Sequence, residues 1–268
     1  MSDYFTYNYD MFNFDYALTQ QPKQEHFSMH TQDRAELYGF MGGSGIFHIE
    51  GTEYALEPGD ILIMAPGESH YIEVDCSQPY ARWNIHFEKE LLQSIDPRGV
   101  LMTPFLDRRM GTMNRYKSYE FRGGSKFYWD AMTVKEGDRQ MNVLTGMLSL
   151  LNDIYSIYLS RDAEAHAAGN TVEYRIIRYI NKNLSSDISL DEICRKFFIS
   201  KSQLCRLFKK ATGSTLWQYI TIKRLTKARL MLREGEKPTK VCFECGFNDY
   251  SAFYRAYTKH YGYGPNLE

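Results

Sequence analysis

Apolar positions follow two different periods along the chain, and the change falls near residue 140. Between residues 36 and 87 they form short runs, which turn pairs separate at Glu50-Gly51, Pro58-Gly59 and Pro66-Gly67. Short strands with turns at close, regular intervals are typical of an antiparallel β-barrel or jelly roll. We therefore predict a barrel in the N-terminal half of the chain.

A helical period follows the predicted strands. From residue 141 to residue 159, apolar side chains recur three or four positions apart. The stripe predicts a helix that packs on the barrel and on a second copy of itself. The predicted dimerisation residues are Leu144, Leu148, Leu151 and Tyr155. Packing on the barrel alone is the alternative. Residues 161–170, rich in Ala, Gly and charge, predict a linker.

Residues 193–209 and 241–257 repeat one pattern, namely a short helix, a tight turn and a second helix. In each copy an apolar face holds the two helices together, and a small residue, Cys194 or Cys242, lets their backbones approach. The opposite face of each second helix is polar and basic. The pattern predicts two helix-turn-helix units, each presenting one helix to a DNA major groove.

These motifs resemble those of the AraC/XylS family of transcription regulators, and the resemblance covers residues 171–265. It rests on Leu190-Asp191-Glu192-Ile193-Cys194, Ser200-x-x-x-Leu204-x-Arg206-Leu207-Phe208-Lys209, Gly213, Arg224-x-x-x-Ala228-x-x-x-Leu232, Gly246-Phe247-x-Asp249-x-Ser251-x-Phe253-x-Arg255 and Gly262-x-x-Pro265. The resemblance implies a seven-helix domain in which a long central helix, about residues 216–233, joins the two units.

The predicted barrel carries a resemblance of its own. The segment Gly43-x-Gly45, Leu56-x-Pro58-Gly59-Asp60-Ile61-Leu62-Ile63-x-x-Pro66-Gly67-x-x-His70 resembles the cupin sensor domain of many such regulators. The expected fold class is α+β, with an N-terminal antiparallel β-barrel and helical dimerisation segment ahead of an all-α domain. We place the sensing and dimerisation domain at residues 1–160, the linker at 161–170 and the DNA-binding domain at 171–268.

Charge divides along the same boundary. Residues 171–268 hold 18 Lys and Arg against 9 Asp and Glu, whereas residues 1–170 hold 14 against 24. The net charge of −1 for the whole chain hides this division. Binding to a phosphate backbone requires positive charge of the domain that contacts DNA. The basic C-terminal part meets this requirement, and the acidic N-terminal part does not need to.

The predicted DNA-contacting residues have three roles. We expect Arg206 and Arg255 to read bases, because a guanidinium can donate two hydrogen bonds to a guanine edge. Softer contacts are expected from Ser202, Cys205, Tyr250, Ser251 and Tyr254, and phosphate contacts from Lys201, Lys209, Lys210 and Lys259. Ser200 and Asp249 are placed to cap the two reading helices.

Two positions depart from the family pattern. Phe198 stands where a turn glycine is common, so we expect a reshaped or strained turn in the first unit. Pro238 takes an apolar position just before the second unit and should mark the start of a helix. Neither change removes a reading helix.

Strand alternation identifies candidate ligand contacts in the barrel. Residues 34–38 and 82–87 each place polar side chains on one face and apolar ones on the other. A barrel lined by the polar faces would suit a polyhydroxylated ligand, because each hydroxyl needs a donor and an acceptor. The candidate ligand residues are Arg34, Glu36, Tyr38, His70, Arg82, Asn84 and His86. In the alternative arrangement the polar faces point to solvent and the apolar faces fill the barrel.

The sequence also offers metal ligands, but we predict neither a metal nor a cofactor. His30, Glu36 and His70 would make an open three-ligand site if they converged. The His-x-His pair typical of metal-binding cupins is missing. Five cysteines argue against a disulfide framework, and a zinc site at Cys242-x-x-Cys245 conflicts with the buried helix contact expected of Cys242.

Aromatic residues crowd the N-terminal segment ahead of the barrel. They are Tyr4, Phe5, Tyr7, Tyr9, Phe12, Phe14 and Tyr16. Two arrangements account for them: an added edge strand, or an arm that covers the ligand as the resemblance suggests. We predict that such an arm, around residues 7–14, reorders when ligand binds.

The sequence as a whole predicts a ligand-responsive, sequence-specific DNA-binding regulator rather than an enzyme. We expect an activator of a carbohydrate catabolic operon; a repressor, or a cupin metalloenzyme with an accessory helical domain, is the alternative. Expected partners are a double-stranded DNA operator, a sugar-like effector, RNA polymerase and a second copy of the chain. With no signal peptide or long apolar run in the sequence, we expect a cytoplasmic protein without membrane contact.

Overall fold

A computed structural model of the chain describes residues 3–161 and 171–268. The predicted linker at 161–170 therefore lies, apart from Arg161, outside the described residues. The strands are β1 (Asp3–Asn8), β2 (Phe12–Thr19), β3 (Ala35–Gly42), β4 (Gly45–Ile49), β5 (Thr52–Ala55), β6 (Ile61–Met64), β7 (His70–Val74), β8 (Tyr80–Phe87) and β9 (Arg115–Tyr116).

The helices divide into two groups along the chain. The first group is α1 (Thr103–Leu106), α2 (Lys126–Met132) and α3 (Arg139–Ser160). The second is α4 (Val172–Lys182), α5 (Leu190–Phe197), α6 (Lys201–Thr212), α7 (Leu216–Arg233), α8 (Pro238–Glu244) and α9 (Tyr250–Tyr261). Within the described ranges, no helix is long and apolar enough to cross a membrane.

The strands form two antiparallel sheets, as the alternation and turn pattern predicted. The larger sheet has the order β1-β2-β8-β3-β6-β9 and the smaller has the order β5-β4-β7. An apolar cluster that includes Tyr38, Phe47, Leu62 and Ile72 fills the space between the two sheets. The inner face of the larger sheet therefore contributes both to this cluster and to the cavity described below.

The outer face of the larger sheet is covered by α2 and α3. Trp83, Ile85 and Phe87 of β8 are buried there in one cluster with Val143 and Met147 of α3. The apolar face of β8 thus meets helices, and its polar face is left for the barrel interior. This arrangement decides between the two alternatives for the polar faces.

The α3 stripe packs on the barrel more than the dimer prediction allowed. Leu151 is fully buried in the barrel-facing cluster, so its assignment to a dimer seam is wrong. The reason is the helical period, which turns Leu151 to the same side as Met147 and Ile154. Leu144, Leu148 and Tyr155 are half-buried at the margin of that contact.

The aromatic N-terminal segment is a hairpin at the edge of the larger sheet. β1 pairs with β2, and β2 pairs with β8 over its whole length. Phe5 and Phe14 lie against Trp129 of α2, on the helical side of the sheet. The simpler prediction of an edge strand is correct. A covering arm at residues 7–14 is not found, because backbone pairing fixes the segment beside β8.

The C-terminal helices form two units around α7, as the repeat predicted. Within residues 171–268 there are six α-helices, and the seventh element that the resemblance implied is one 3₁₀ turn at Pro265–Leu267. Ser200 accepts a hydrogen bond from the Gln203 amide, and Asp249 accepts one from the Ala252 amide. Both predicted caps are present, and Pro238 begins α8 as expected.

Candidate functional site

The first reading helix, α6, exposes the face that the sequence assigned to DNA. Leu204 and Phe208 are buried in the core of the first unit. Because these two residues turn one side of the helix inward, the other side is left to solvent. The exposed side carries Ser202, Cys205 and Arg206, with Lys201 and Lys209 at its two ends.

The second reading helix, α9, repeats this division. Phe253 and Tyr257 are buried, whereas Ser251, Tyr254, Arg255 and Lys259 are exposed. Tyr250 is half-buried and packs against Phe253, and its hydroxyl lies 3.4 Å from the Asn266 side-chain oxygen. Tyr250 therefore sits at the base of the exposed face rather than at its centre.

Two of the predicted phosphate contacts have other neighbours in the structure. The Lys201 ammonium lies 2.7 Å from an Asp191 carboxylate oxygen, with both groups open to solvent. The Lys210 carbonyl accepts a hydrogen bond of 2.8 Å from the Tyr71 hydroxyl of the barrel. The C-terminal end of α6 is therefore docked on β7, and the N-terminal end of the helix is exposed to solvent.

A cavity of about 100 Å³ lies within the barrel. Its wall brings together five of the predicted ligand residues from three strands: Glu36, Tyr38, His70, Arg82 and Asn84. Phe27, Phe47 and Tyr80 supply apolar surface beside them. Polar groups set in an apolar wall are the usual composition of a small-molecule site.

Glu36 is the buried centre of the polar wall. Its two carboxylate oxygens lie 3.1 Å from His70 Nε2 and 3.5 Å from His86 Nε2. Burial raises the pKa of the Glu36 carboxyl, but the two imidazoles outweigh burial and hold it well below its usual range. Burial lowers the pKa of His70, and Glu36 in turn raises it above its ordinary value. Glu36 and His70 therefore each favour the charged form of the other.

Arg34 is the one predicted ligand residue that the structure places elsewhere. It precedes β3, and its guanidinium lies 2.7 Å from a Glu88 carboxylate oxygen, outside the cavity wall. Strand alternation predicted that Arg34 and Glu36 share one face. The strand begins at Ala35, however, so the alternation does not include Arg34. His86 remains beside the cavity through its contact with Glu36.

Sequence reasoning missed Asn13 and Asp15 of β2, which lie beside the polar side chains of β8. Asn13 pairs with His86 and Asp15 with Asn84 in the β2–β8 register. The Asn13 amide nitrogen lies 3.0 Å from His86 Nδ1. The alternation of polar and aromatic residues over positions 12–16 indicated a strand with one polar face. The sequence prediction used only its aromatic face.

The candidate metal ligands converge only in part. The rings of His30 and His70 are in edge contact, and Glu36 lies beside His70. Burial and the neighbouring His70 lower the pKa of His30 to about 4, so its imidazole is neutral at neutral pH. Across residues 3–161 and 171–268, no group of three or more His, Cys, Asp or Glu has the geometry to hold a metal ion.

A buried ion pair joins the barrel to the central helix α7. Glu50, in the β4–β5 turn, lies 2.6 Å from the Lys223 ammonium, and both side chains are at least 95% buried. Glu50 also accepts hydrogen bonds from the Ser69 amide, the Asn181 amide group and the Tyr219 hydroxyl. We call this set of five residues the Glu50 junction.

The two buried charges of the Glu50 junction compensate each other. Burial raises the pKa of Glu50, but Lys223 outweighs burial and lowers it below its ordinary value. Lys223 also donates to the Gly67 carbonyl, at 2.6 Å. The lysine signal was visible in the sequence, since Lys223 lies among apolar positions of α7, but its partner in a distant turn was not.

A second contact joins the barrel to the C-terminal end of α7. The Asp33 carboxylate lies 2.6 Å from the Arg233 guanidinium and 3.5 Å from that of Arg229. Asp33 comes three residues before Glu36, and the Ser69 of the Glu50 junction comes directly before His70. Both contacts to α7 therefore include a residue that lies just before a strand of the cavity wall.

Comparison with known proteins finds a family match in each half of the chain. Residues 16–109 match the family described as "AraC-like ligand binding domain", and residues 193–266 match the one described as "Helix-turn-helix domain". The HTH-type transcriptional activator RhaS of Mannheimia succiniciproducens is 27% identical over 261 residues, which is 92% of this chain and 91% of that protein.

Two further relatives show how far the similarity extends. The HTH-type transcriptional activator RhaR of Escherichia coli K12 is 24% identical over 265 residues, covering 93% of this chain and 89% of its own. The probable transcriptional regulator LumQ of Photobacterium leiognathi is 37% identical over 91 residues, which is 34% of this chain and 37% of that protein. The metalloenzyme alternative is not favoured. The chain belongs to the AraC/XylS family, as a ligand-responsive, sequence-specific DNA-binding transcription regulator with a cupin-like sensor domain.

Proposed function

We propose that this chain activates a carbohydrate catabolic operon when a small polyhydroxylated metabolite occupies the barrel cavity. The observation that carries the proposal is the wall formed by the buried Glu36, Tyr38 and His70 with the half-buried Asn84, which offers donors and acceptors side by side. Hydroxyl groups need both kinds of partner. At about 100 Å³ the cavity is smaller than most ligand pockets, which restricts the occupant to a small metabolite. Relatives named transcriptional activators support the sign of regulation.

The proposed operator contacts follow from exposure on the two reading helices. Arg206 and Arg255 would each read a guanine, because both side chains are exposed on the outer face. Smaller contacts would come from Ser202, Cys205, Ser251 and Tyr254, with Tyr250 supporting Tyr254 at the base of α9. The proposed phosphate contacts are Lys201, Lys209 and Lys259; the docked end of α6 makes Lys210 the weakest candidate.

The proposed assembly is a dimer through the outer side of α3. Leu144, Leu148 and Tyr155 are half-buried there, and Met141 and Leu159 are exposed nearby on the helix. An activator of this kind would also contact RNA polymerase. We place the sensing and dimerisation domain at residues 1–160 and the DNA-binding domain at 171–268, joined by 161–170.

Coupling between the two domains is proposed to run through the Glu50 junction and Asp33. In the docked arrangement, cations of α7 that could face DNA phosphates are paired with barrel carboxylates. The acidic barrel would also repel DNA. Effector binding at Glu36 and His70 would shift the strand approaches that hold α7, and regulation requires different effector affinities for the docked and released arrangements.

Thermal unfolding of the full chain with sugars, polyols and sugar acids tests the effector site. A ligand that binds only the folded chain raises the midpoint temperature. Asn84→Leu should remove that rise, because it takes a polar group from the wall and fills the cavity. Glu57→Gln, an exposed carboxylate in the turn after β5, is the matched control and should keep the rise.

Binding to operator sequences selected from random DNA tests the rest of the proposal. The ligand that raises the midpoint should change the affinity of the wild-type chain for the selected operator but leave that of Asn84→Leu unchanged. A ligand that stabilises both proteins equally would place the effector site outside the cavity. Transcription from that operator in vitro then distinguishes an activator from a repressor.

A further inference from the structure

Arg82 is a cation of the cavity wall that the protein leaves without an acceptor. Within residues 3–161 and 171–268, no carboxylate lies within 4 Å of its guanidinium, and its side chain donates no hydrogen bond. Its recorded neighbour is the ring of Tyr80, 6.0 Å away. Two other arginines of this domain do pair with carboxylates, Arg34 with Glu88 and Arg108 with Glu68.

Strand register explains why Arg82 has no partner. Arg82 lies between Ala17 of β2 and Phe40 of β3, and neither side chain can accept a hydrogen bond. Four residues along β8, His86 lies between Asn13 and Glu36, which both can accept one. The wall therefore provides acceptors at one end and an unpaired cation at the other.

Asn84 lies between these two ends on the same face of β8. Its side-chain oxygen is buried and has no hydrogen-bond partner among the described residues. Alternate residues of a strand stand about 6.5 Å apart, so the row from Arg82 to His86 spans about 13 Å. An occupant would meet a cation first, then an unpaired acceptor, and then the charged Glu36 between two imidazoles.

We propose that the effector is a small hydroxy acid of the sugar-acid class. Its carboxylate would take two hydrogen bonds from the Arg82 guanidinium, and its hydroxyls would donate to the oxygens of Asn84 and Glu36. A neutral sugar would satisfy the hydroxyl partners and leave the cation without an anion. The inference rests on the proposed effector site in the barrel and goes further by naming the class of compound.

Matched pairs of compounds that differ in the carboxylate test the inference. D-gluconate is compared with D-glucitol, and D-glucuronate with D-glucose, by calorimetric titration of the full chain at constant ionic strength. At least one acid should bind about tenfold or more tightly than its neutral counterpart, since a charge-assisted hydrogen bond is about twice as strong as a neutral one. Acetate alone should bind weakly, because it lacks the hydroxyls.

Variants of Arg82 assign the preference to one side chain. Arg82→Gln should bring the affinity for the acid down to that for the neutral compound, and Arg82→Lys should keep part of the difference because it keeps the charge without the fork. Arg98→Gln, an exposed arginine outside the cavity, is the control and should keep the full preference. Arg82→Gln must show the wild-type midpoint of unfolding without ligand, which excludes loss of the fold.

The outcomes separate this inference from the proposed function. A neutral sugar that binds as tightly as its acid, with binding lost in Asn84→Leu, overturns the acid class and leaves the barrel site standing. An acid preference that survives in Arg82→Gln also overturns the inference, as does a preference for D-glucose 6-phosphate over D-gluconate. Binding of neither acids nor sugars would contradict the proposed function itself.

Discussion

The two helix-turn-helix units have the same pattern but are held in different ways. The core of the first unit includes Met29 and Tyr71 of the barrel beside its own Leu204 and Phe208. The core cluster of the second unit draws its buried residues from 225–257 alone. The first unit therefore cannot move from the barrel without exposing apolar surface, whereas the second is fastened through α7.

The turns of the two units differ in the same sense. Gly246 closes the first helix of the second unit at φ 86°, and a β-carbon there would meet the Leu184 carbonyl oxygen at 2.6 Å. The matching residue of the first unit is Phe198, which takes φ 55° and is 94% exposed. The second turn is thus shaped by close packing, and the first carries backbone strain with an open side chain. The comparison teaches that the first unit is held by contact with the barrel as well as by its own core, whereas the second relies on its own core.

The largest effect is expected from Glu50, which ties α7 to the barrel. Glu50→Ala leaves the Lys223 ammonium buried without its carboxylate, and such a change costs about 3–5 kcal/mol. We expect the first unit to release from the barrel, with faster amide hydrogen exchange in α6 than in α9. Operator affinity should rise and respond less to effector, as measured by fluorescence anisotropy.

Two controls belong with Glu50→Ala. Replacing both partners, as Glu50→Gln with Lys223→Met, should recover much of the stability, because no buried charge is then left unpaired. Equal exchange rates in α6 before and after Glu50→Ala would contradict the assigned role.

The stability that the Glu50–Lys223 pair contributes should depend on pH. The folded pKa of Glu50 lies below its unfolded value, so this stabilisation is complete above the unfolded pKa and is lost as pH falls through the folded pKa.

Arg206 and Arg255 offer a direct test of equal reading by the two units. Either change to Ala should cost about 1–3 kcal/mol in operator affinity and relax the base preference at one position. Lys209→Ala should instead weaken binding to all sequences and reduce its salt dependence. Equal losses on every sequence for Arg206→Ala would reassign that residue to phosphate contact.

Gly246→Ala tests the packing of the second turn. The substitution places a methyl group against the Leu184 carbonyl in a backbone region that alanine rarely adopts, so we expect a loss of more than about 1 kcal/mol in unfolding free energy. Urea unfolding measures the loss. Gly235→Ala has the same positive φ but open space around the added carbon, so it separates backbone strain from the clash.

Elements with a strong period were predictable, and contacts between distant turns were not. The turn pairs and alternation predicted the barrel, and the repeated motif predicted α5, α6, α8 and α9, because local periodicity reports which face is buried. The same reasoning misplaced Arg34 and Leu151. Parity does not extend past the first residue of a strand, and an apolar stripe does not say which neighbour covers it. The Glu50 junction depends on the approach of two domains, which no local pattern encodes.

The smallest effect is expected from Phe198, and it separates strain from function. Phe198→Gly gives the first unit the turn residue of the second and should stabilise the chain by up to about 1 kcal/mol, because glycine adopts a positive φ without steric cost. If the aromatic ring is only exposed to solvent and makes no contact with DNA, operator affinity stays unchanged while the urea midpoint of unfolding rises. A higher midpoint with weaker operator binding would show that the ring contacts DNA beside the capped N-terminus of α6. Tyr119→Gly, which removes a ring that is 80% exposed in the barrel domain, is the control for loss of an exposed aromatic. An unchanged midpoint in Phe198→Gly would contradict the strain assigned to the first turn, and the two units would then differ only in their attachment to the barrel.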